Sequence, residues 1–597
     1  MSLQLRSGLA CSLKVVGVFI LLVIPQYSVS FATNSEEELT ENQKIIHVLN
    51  RLGFGPRLGD IERVKAMGIE AYIEEQLHPA SIPDPLADDM LADFTSLEMG
   101  LEEILAANLP VPMGRRSRAT IFERKRLSEE AEREAAAVTD ESGAARFRRM
   151  DAEAAVKKET GDEIRVARII RAVYSERQLH EIMVDFWMNH FNVDFGGEDP
   201  FAAHFEQSVI RPGSIGSFEN LLMAVAKHPS MLAYLDNWIS SAPAEVIEQR
   251  LASLKPTLDA TEYLQLLERM PFLQQLNGLN ENYARALMEL HTVGVDGGYT
   301  QEDVIEVAKV LTGWTVAPWE ITNGREEEGL FVFDPLLHVE GDKTVLGQTI
   351  ESGGIEEGEQ VIRMLAHHPS TARYISTKLV RRFVADDPPA EVVEAASRTF
   401  EETGGDIREV LRTIFASPQF LSEVYYQVKI KKPLELVVSA LRVVGAEIDL
   451  SLAWRLIIDE EQSPSIIAQM GEKVYNYDAP EGNPDVALAW LDTDAVLNRL
   501  IFAQELASNL IPGIRVDLHA AQLLLEQLDL PQPTPEQIEQ ARSMLEGARS
   551  GQDPSMMGDE AMMAMGGGAV RGGEDQLTDP QAVIVGTMLG SPPFQKR

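Results

Sequence analysis

The stretch NENYARALMELHTVGVDGGYT, residues 280–300, sets Glu281, Arg285 and Glu289 four residues apart and follows them with His291. On a helix this spacing stacks carboxylate, guanidinium and carboxylate along one face, opposite an apolar face of Leu279, Tyr283, Ala286, Leu287, Leu290 and Val293. Facing water, the ladder is a minor helix-stabilising device. Covered by a second helix, it becomes a buried ion network that could serve an active site. Glu281, Arg285, Glu289 and His291 are therefore candidate catalytic residues. On an ideal helix His291 points about 160° away from Glu289, so the pair is a metal motif only if the helix ends between them. Gly294 reads as a C-cap, and Thr300 with Asp303 as a capping box for the next helix.

Two further segments carry histidines. In RQLHEIMVDFWMNHFNV, residues 177–193, Leu179, Met183, Phe186, Trp187 and His190 share a face, which predicts a buried imidazole. It is either a core group tied to a carbonyl or a ligand or acid–base group. Asp185 and Asn189 fall on the polar side and read as solvated or capping. In LFVFDPLLHVEGDKTVLGQTI, residues 330–350, β-formers flank Glu340, Gly341 and Asp342, predicting a hairpin with His338 and Lys343 near its tip. His190, His291 and His338 are the candidate ligands of a divalent metal, and Lys343 is a candidate catalytic residue. His228 and His368 each precede a proline and read as helix boundaries. Lys378, Arg381 and Arg382 form a basic strip that either holds an anionic ligand or pairs with acids such as Asp386 and Asp387. Nucleophile-elbow, Walker, dinucleotide-fingerprint, CxxC and HExxH motifs do not occur in a supporting context, and DGGYTQED lacks the alternating oxygen ligands of a calcium loop.

The elements that must position these residues are helices. Apolar spacing or helix-former content marks 40–78, 101–109, 120–190, 217–236, 243–253, 259–277, 280–292, 301–312, 355–366, 371–384, 389–402, 406–415 and 432–446. The expected fold is mostly α: one large multi-helix domain over 33–546 with a small β-hairpin. Residues 114–165 are rich in Ala, Glu, Arg and Lys and read as a projecting charged helical insertion. Residues 547–577 turn to Gly, Met, Asp and Ser and read as a disordered linker, with Cu(I) binding by its methionines the lesser alternative. Residues 578–597 resume an apolar helix ending in Ser-Pro-x-Phe, which echoes 407–423 and predicts a tethered helix docking on the main domain.

The formal net charge of −40 repels nucleic acid and anionic lipid at long range, which argues against both as partners. Residues 1–32 read as a signal peptide: Arg6 and Lys14, the apolar run Val15 to Ile24, and a small-residue site at Ser30 and Ala32. No later stretch approaches the roughly 20 apolar residues needed to span a bilayer, so no integral membrane segment is expected after cleavage. The single cysteine, Cys11, lies within the signal, so the mature chain has no disulfide. The expected location is periplasmic or extracellular.

Read together, HVLNRLGFGP (47–56), the histidine-bearing stretch 177–193, NENYARALMELHTVGVDGGYTQEDVIEVAKVLTGWT, HVEGDKTVLG, HPSTARYISTKLVRRFVADDPP, GDIREVLRTIFASPQF and LGSPPFQKR closely resemble the domain-of-unknown-function 1800 family of exported bacterial proteins, from about residue 43 to the C-terminus. The resemblance implies a largely helical protein without an assigned activity, and an exported, sulfatase-like protein as a candidate partner. Two places depart from the family's pattern. HVEGD stands where His is directly followed by Asp, and 470–491 lacks a Gly-Trp element. Two functional expectations follow: a metal-assisted hydrolase of the envelope or extracellular space, or a non-catalytic scaffold that binds a partner through the arm at 114–165. Convergence of the candidate side chains in one place favours the first, and their dispersal the second.

Overall fold

The computed structural model describes residues 38–100, 162–195, 201–259, 278–316, 331–458, 464–550 and 579–597, with the isolated positions 266, 273 and 276. The expected signal segment, the insertion up to residue 161, most of the predicted helix 259–277 and the linker from residue 551 lie outside these residues.

The protein is mostly helical, with three small two-stranded antiparallel sheets among the described residues. The predicted helix 40–78 is divided into Glu41–Arg51 (α1), which ends at Leu52, and two shorter helices that start after Gly59 and Gly68, both at positive φ (93° and 89°). Next in the elements that frame the site are Gln178–His190 (α4 in chain order, after the short helices α2, Asp60–Met67, and α3, Ile69–Gln76), Phe218–Lys227 (α5) and Pro229–Tyr234 (α6). His228 caps α6 by accepting from the Ser230 backbone N–H at 3.2 Å, so the His-Pro pair is a helix start.

Asn282–Ala286 (α7) continues into a π-helical turn, Leu287–His291, and Gln301–Val310 (α8) follows. Thr300 and Asp303 close the capping box of α8 on both sides. Gly294 adopts φ +80°, and a Cβ there would lie 2.9 Å from the Tyr374 ring, so a side chain is excluded both by backbone conformation and by close packing.

The strands differ from the single hairpin expected. Trp314–Val316 (β1) pairs with Phe331–Phe333 (β2), while Lys343–Val345 (β3) pairs with Gln348–Ile350 (β4). The β3–β4 turn is at Leu346 and Gly347, both at positive φ (49° and 74°), a primed two-residue turn that suits the twist of the strands. Glu340, Gly341 and Asp342 are instead the approach to β3, and Lys343 is buried at its start.

Ile355–Ala366 (α9), Pro369–Phe383 (α10), Ala390–Thr403 (α11), Ile407–Phe415 (α12), Pro433–Val443 (α13) and Thr493–Ala507 (α14) follow. α10, α11 and α12 pack in sequence, and α5 packs on α9. Every residue of α13 is buried, which places it at the centre of the main apolar core. Pro580–Leu589 (α15) lies on α14 and buries Val583, Val585, Met588 and Leu589. Beyond it, Phe594 is buried and residues 595–597 exchange backbone hydrogen bonds with 429–431. Among the described residues no helix is long and apolar enough to cross a membrane.

Candidate functional site

The candidate side chains fall into three groups. Glu281, Arg285 and Glu289 form the ladder that their spacing dictates, with Arg285 3.4 Å from Glu281 and 3.0 Å from Glu289. Their side chains are 38%, 40% and 23% exposed, and Arg285 also donates to Gln301 at 2.7 Å. Among the described residues no second helix seals this face, and the ladder is a solvated strut between α7 and the start of α8.

His338 and Lys343 meet a partner remote in sequence. Both are buried and both bond the fully buried carboxylate of Glu357, the third residue of α9. Glu357 Oε1 also accepts from the backbone N–H groups of Gly353 and Gly354 at 2.8 and 3.0 Å. The imidazole is fixed from its other side by the Thr312 carbonyl, 2.8 Å from Nδ1. These bonds, led by that from Lys343, outweigh burial and hold the Glu357 carboxyl below the usual range. The adjacent Glu340 pairs outward with Arg250 at 3.0 Å. Every group in this cluster is satisfied, and it pins the β3–β4 hairpin to the N-terminus of α9.

His190 and His291 come together. The π turn brings this about: a wider turn sets residue 291 more nearly in line with buried Leu287 than an α turn would, so the ring enters the core. The two ring centroids are 6.1 Å apart, and His190 Nε2 lies 3.2 Å from the His291 carbonyl. Phe186, Trp187, Phe191 and Tyr374 surround the His190 ring. Lys378 of α10 completes the group, donating to His190 Nδ1 at 3.2 Å. That leaves the proton of neutral His190 on Nε2, pointed at the carbonyl. Burial, then the neighbouring Lys378 charge, holds both imidazoles neutral, that of His291 down to about 3. Burial also lowers the Lys378 ammonium, against the pull of Asp485 3.9 Å away. Nε2 of His291 is buried without a hydrogen-bond partner.

Among the described residues no group of three or more His, Cys, Asp or Glu is placed to hold a metal ion. The three histidines read as candidate ligands divide between two places: His190 and His291 share a centre with an ammonium and a carbonyl, and His338 belongs to the Glu357 cluster.

Above this centre runs the segment 473–491. The Asn189 side-chain amide donates to the Asn483 carbonyl at 3.0 Å and accepts from its N–H at 2.7 Å, while Asn192 donates to the carbonyls of Tyr477 and Ala479. Gly482 is pressed so closely on α4 that a Cβ would lie 2.3 Å from the Asn189 carbonyl oxygen. Near the start of the segment stands Tyr475, a bulky residue at φ 64° whose hydroxyl bonds Glu206.

Glu206 belongs to a buried ion network beneath α4. Arg211 joins Glu181 and Glu206, Arg168 joins Asp185 and Glu206, and Lys432 joins Asp185 and Glu472. Asp185 is thus 4% exposed, not solvated as its helical position suggested, because α4 is covered all round. Lys432 and Arg168 overcome burial and hold its carboxyl low.

The signals that sequence reading left unused are Asp485 and Glu357, neither of which lies near its side-chain partners in the chain. Lys378 was legible only as part of the basic strip. On α10 that strip divides: Lys378 turns to His190, Arg381 to the Asp386 carbonyl and Arg382 to Glu435.

No characterised protein and no solved structure matches this chain. A family of proteins of unknown function, DUF1800, matches residues 47–596, nearly its whole length, and the chain belongs to that family.

Proposed function

We propose that this protein is an exported enzyme whose working group is the Asp485–Lys378–His190 chain, acting by proton transfer on a substrate admitted when the 473–491 segment lifts. The observation that carries the reading is the Lys378–His190 hydrogen bond: an ammonium whose proton burial loosens, bonded to an imidazole kept neutral, with a half-exposed carboxylate at its outer edge. A lysine whose ammonium is destabilised by burial can serve as a general base or acid. Chemically, Lys378 gives or takes the proton, Asp485 stabilises its charged form, and His190 orients the amine.

A hydrolytic reaction is the class best suited to such a pair, with no metal in the step. The test is a panel of p-nitrophenyl esters, phosphates and glycosides, together with competitive acylation of the lysines across pH. Turnover lost in Lys378→Met at unchanged melting temperature supports the reading. An inactive panel, with Lys378 titrating like the surface lysines, sinks it. Sequencing the N-terminus of the mature protein tests export: a start near residue 33 is expected.

A second reading, partner binding without catalysis, is favoured by the outer face of the same segment, where Val486 is 41% and Leu488 83% exposed. Under that reading Leu488→Asp abolishes association while Lys378→Met leaves it intact.

A further inference from the structure

The C-terminal residues bring a cation into a place already rich in them. Arg51 of α1, Arg382 of α10 and Arg597 are 0%, 7% and 4% exposed. Glu435 of α13 is the carboxylate ion-paired with two of them, 2.8 Å from Arg382 and 3.2 Å from Arg597. Arg597 also reaches the Arg382 carbonyl, while Arg51 spends one nitrogen on the Tyr425 carbonyl at 2.8 Å. The nearby Asp386 is taken by Lys429. Arg382 and Arg597 therefore share one carboxylate, with Arg51 near enough to feel the Arg382 charge, and among the described residues both Nε and Nη1 of each of the three guanidinium groups are buried without a hydrogen-bond partner. Beside them lies the buried ring of His47, one turn before Arg51, against the backbone and ring of Phe420.

Unpaired cations buried side by side are strongly unfavourable, and guanidinium donors left unsatisfied add to the penalty. The strain is visible at Arg51, whose guanidinium is brought down to about 9, by burial first and then by Arg382. A planar guanidinium offers paired donors that match the oxygens of a phosphate or sulfate.

We propose that this place binds a small oxyanion of the phosphate or sulfate class, held among Arg51, Arg382 and Arg597. Such an ion balances the excess charge and occupies the free donors. It also ties three parts of the fold together: the first helix, α10 and the C-terminal strand-like segment that pairs with 429–431. Bound there, it acts as a clamp on the tail, and the tail completes the site by supplying Arg597.

The experiment is calorimetric titration of the full chain, freed of multivalent anions, with inorganic phosphate, using chloride at matched ionic strength as control. One saturable site per chain is expected, with a melting temperature that rises with phosphate and not with chloride. Arg51→Met and Arg597→Met are expected to weaken phosphate at least ten-fold. The Arg597 variant leaves α1 untouched, so it keeps the test sound if Arg51→Met does not fold. Absence of saturable binding, or equal binding by both variants, overturns the proposal. So does a protein that takes phosphate only after Gly-Ser is appended to Arg597, since the chain's own carboxylate would then be the occupant.

Discussion

Nζ of Lys378 lies 3.2 Å from Nδ1 of His190, joining residues 188 positions apart through one hydrogen bond at the edge of the aromatic cluster around α4. Removing a buried cation relieves desolvation even as it strands an imidazole nitrogen, and the two effects are of similar size, about 1–3 kcal/mol each. Lys378→Met is therefore expected to change unfolding free energy by less than about 1.5 kcal/mol in urea melts. A larger loss would make the amine a structural post.

The Glu281–Arg285–Glu289 ladder calls for a small effect. With all three side chains in reach of water, Arg285→Ala is expected to cost under about 1 kcal/mol. Urea titration of the variant decides this, and a cost of several kcal/mol would mean that the face is sealed in solution.

Glu357 is the opposite case. Among the described residues it is the one carboxylate bonded to buried Lys343 and His338, so Glu357→Gln leaves a buried ammonium uncompensated, at about 3–5 kcal/mol. The same melts, compared with the Lys343→Met Glu357→Gln double variant, are expected to show the pair removed together costing less than the single change.

Acid should loosen the fold before carboxylates begin to titrate. Burial holds His47, His190, His228 and His291 neutral in the folded chain, whereas the unfolded chain protonates them below about pH 6.5. The unfolded state then binds more protons, so stability falls as pH drops, by up to about 1.4 kcal/mol per pH unit for each group. Glu472, whose carboxyl burial pushes up, opposes them with a single proton. Urea midpoints are expected to decline from pH 6.5 to 4.5, and a flat profile would show that these rings take up protons while folded.

Gly482 tests the covering segment. At φ +75° and against the Asn189 carbonyl, Gly482→Ala is strained twice over. Faster amide exchange confined to 473–491 is expected, with the core unchanged. Uniform destabilisation would show that the segment is part of the core.

What the sequence makes legible here is local. The Thr300–Asp303 cap, the positive φ of Gly294 and the helix start after His228 each depend on residues within a few positions. The burial of His190 follows from its apolar helical face. His291 was harder, because ideal geometry gives no warning of a π turn. Asp185 misled for another reason: a polar residue on the polar side of a helix looks solvated unless one knows that Arg168 and Lys432 cover it. Glu357 and Asp485 reach their partners through tertiary packing alone, where periodicity carries no information.

The clasp between Asn189 and Asn483 has a chemical lifetime. A carboxamide both donates and accepts, and Asn189 uses the two functions at once. Slow deamidation to aspartate would preserve the acceptor, abolish the donor and set a negative charge against the Asn483 carbonyl. One hydrolytic event, with no change in the gene, would thus turn a two-way latch into a one-way repelling contact, so that older molecules open over the Lys378 centre more readily than newly made ones.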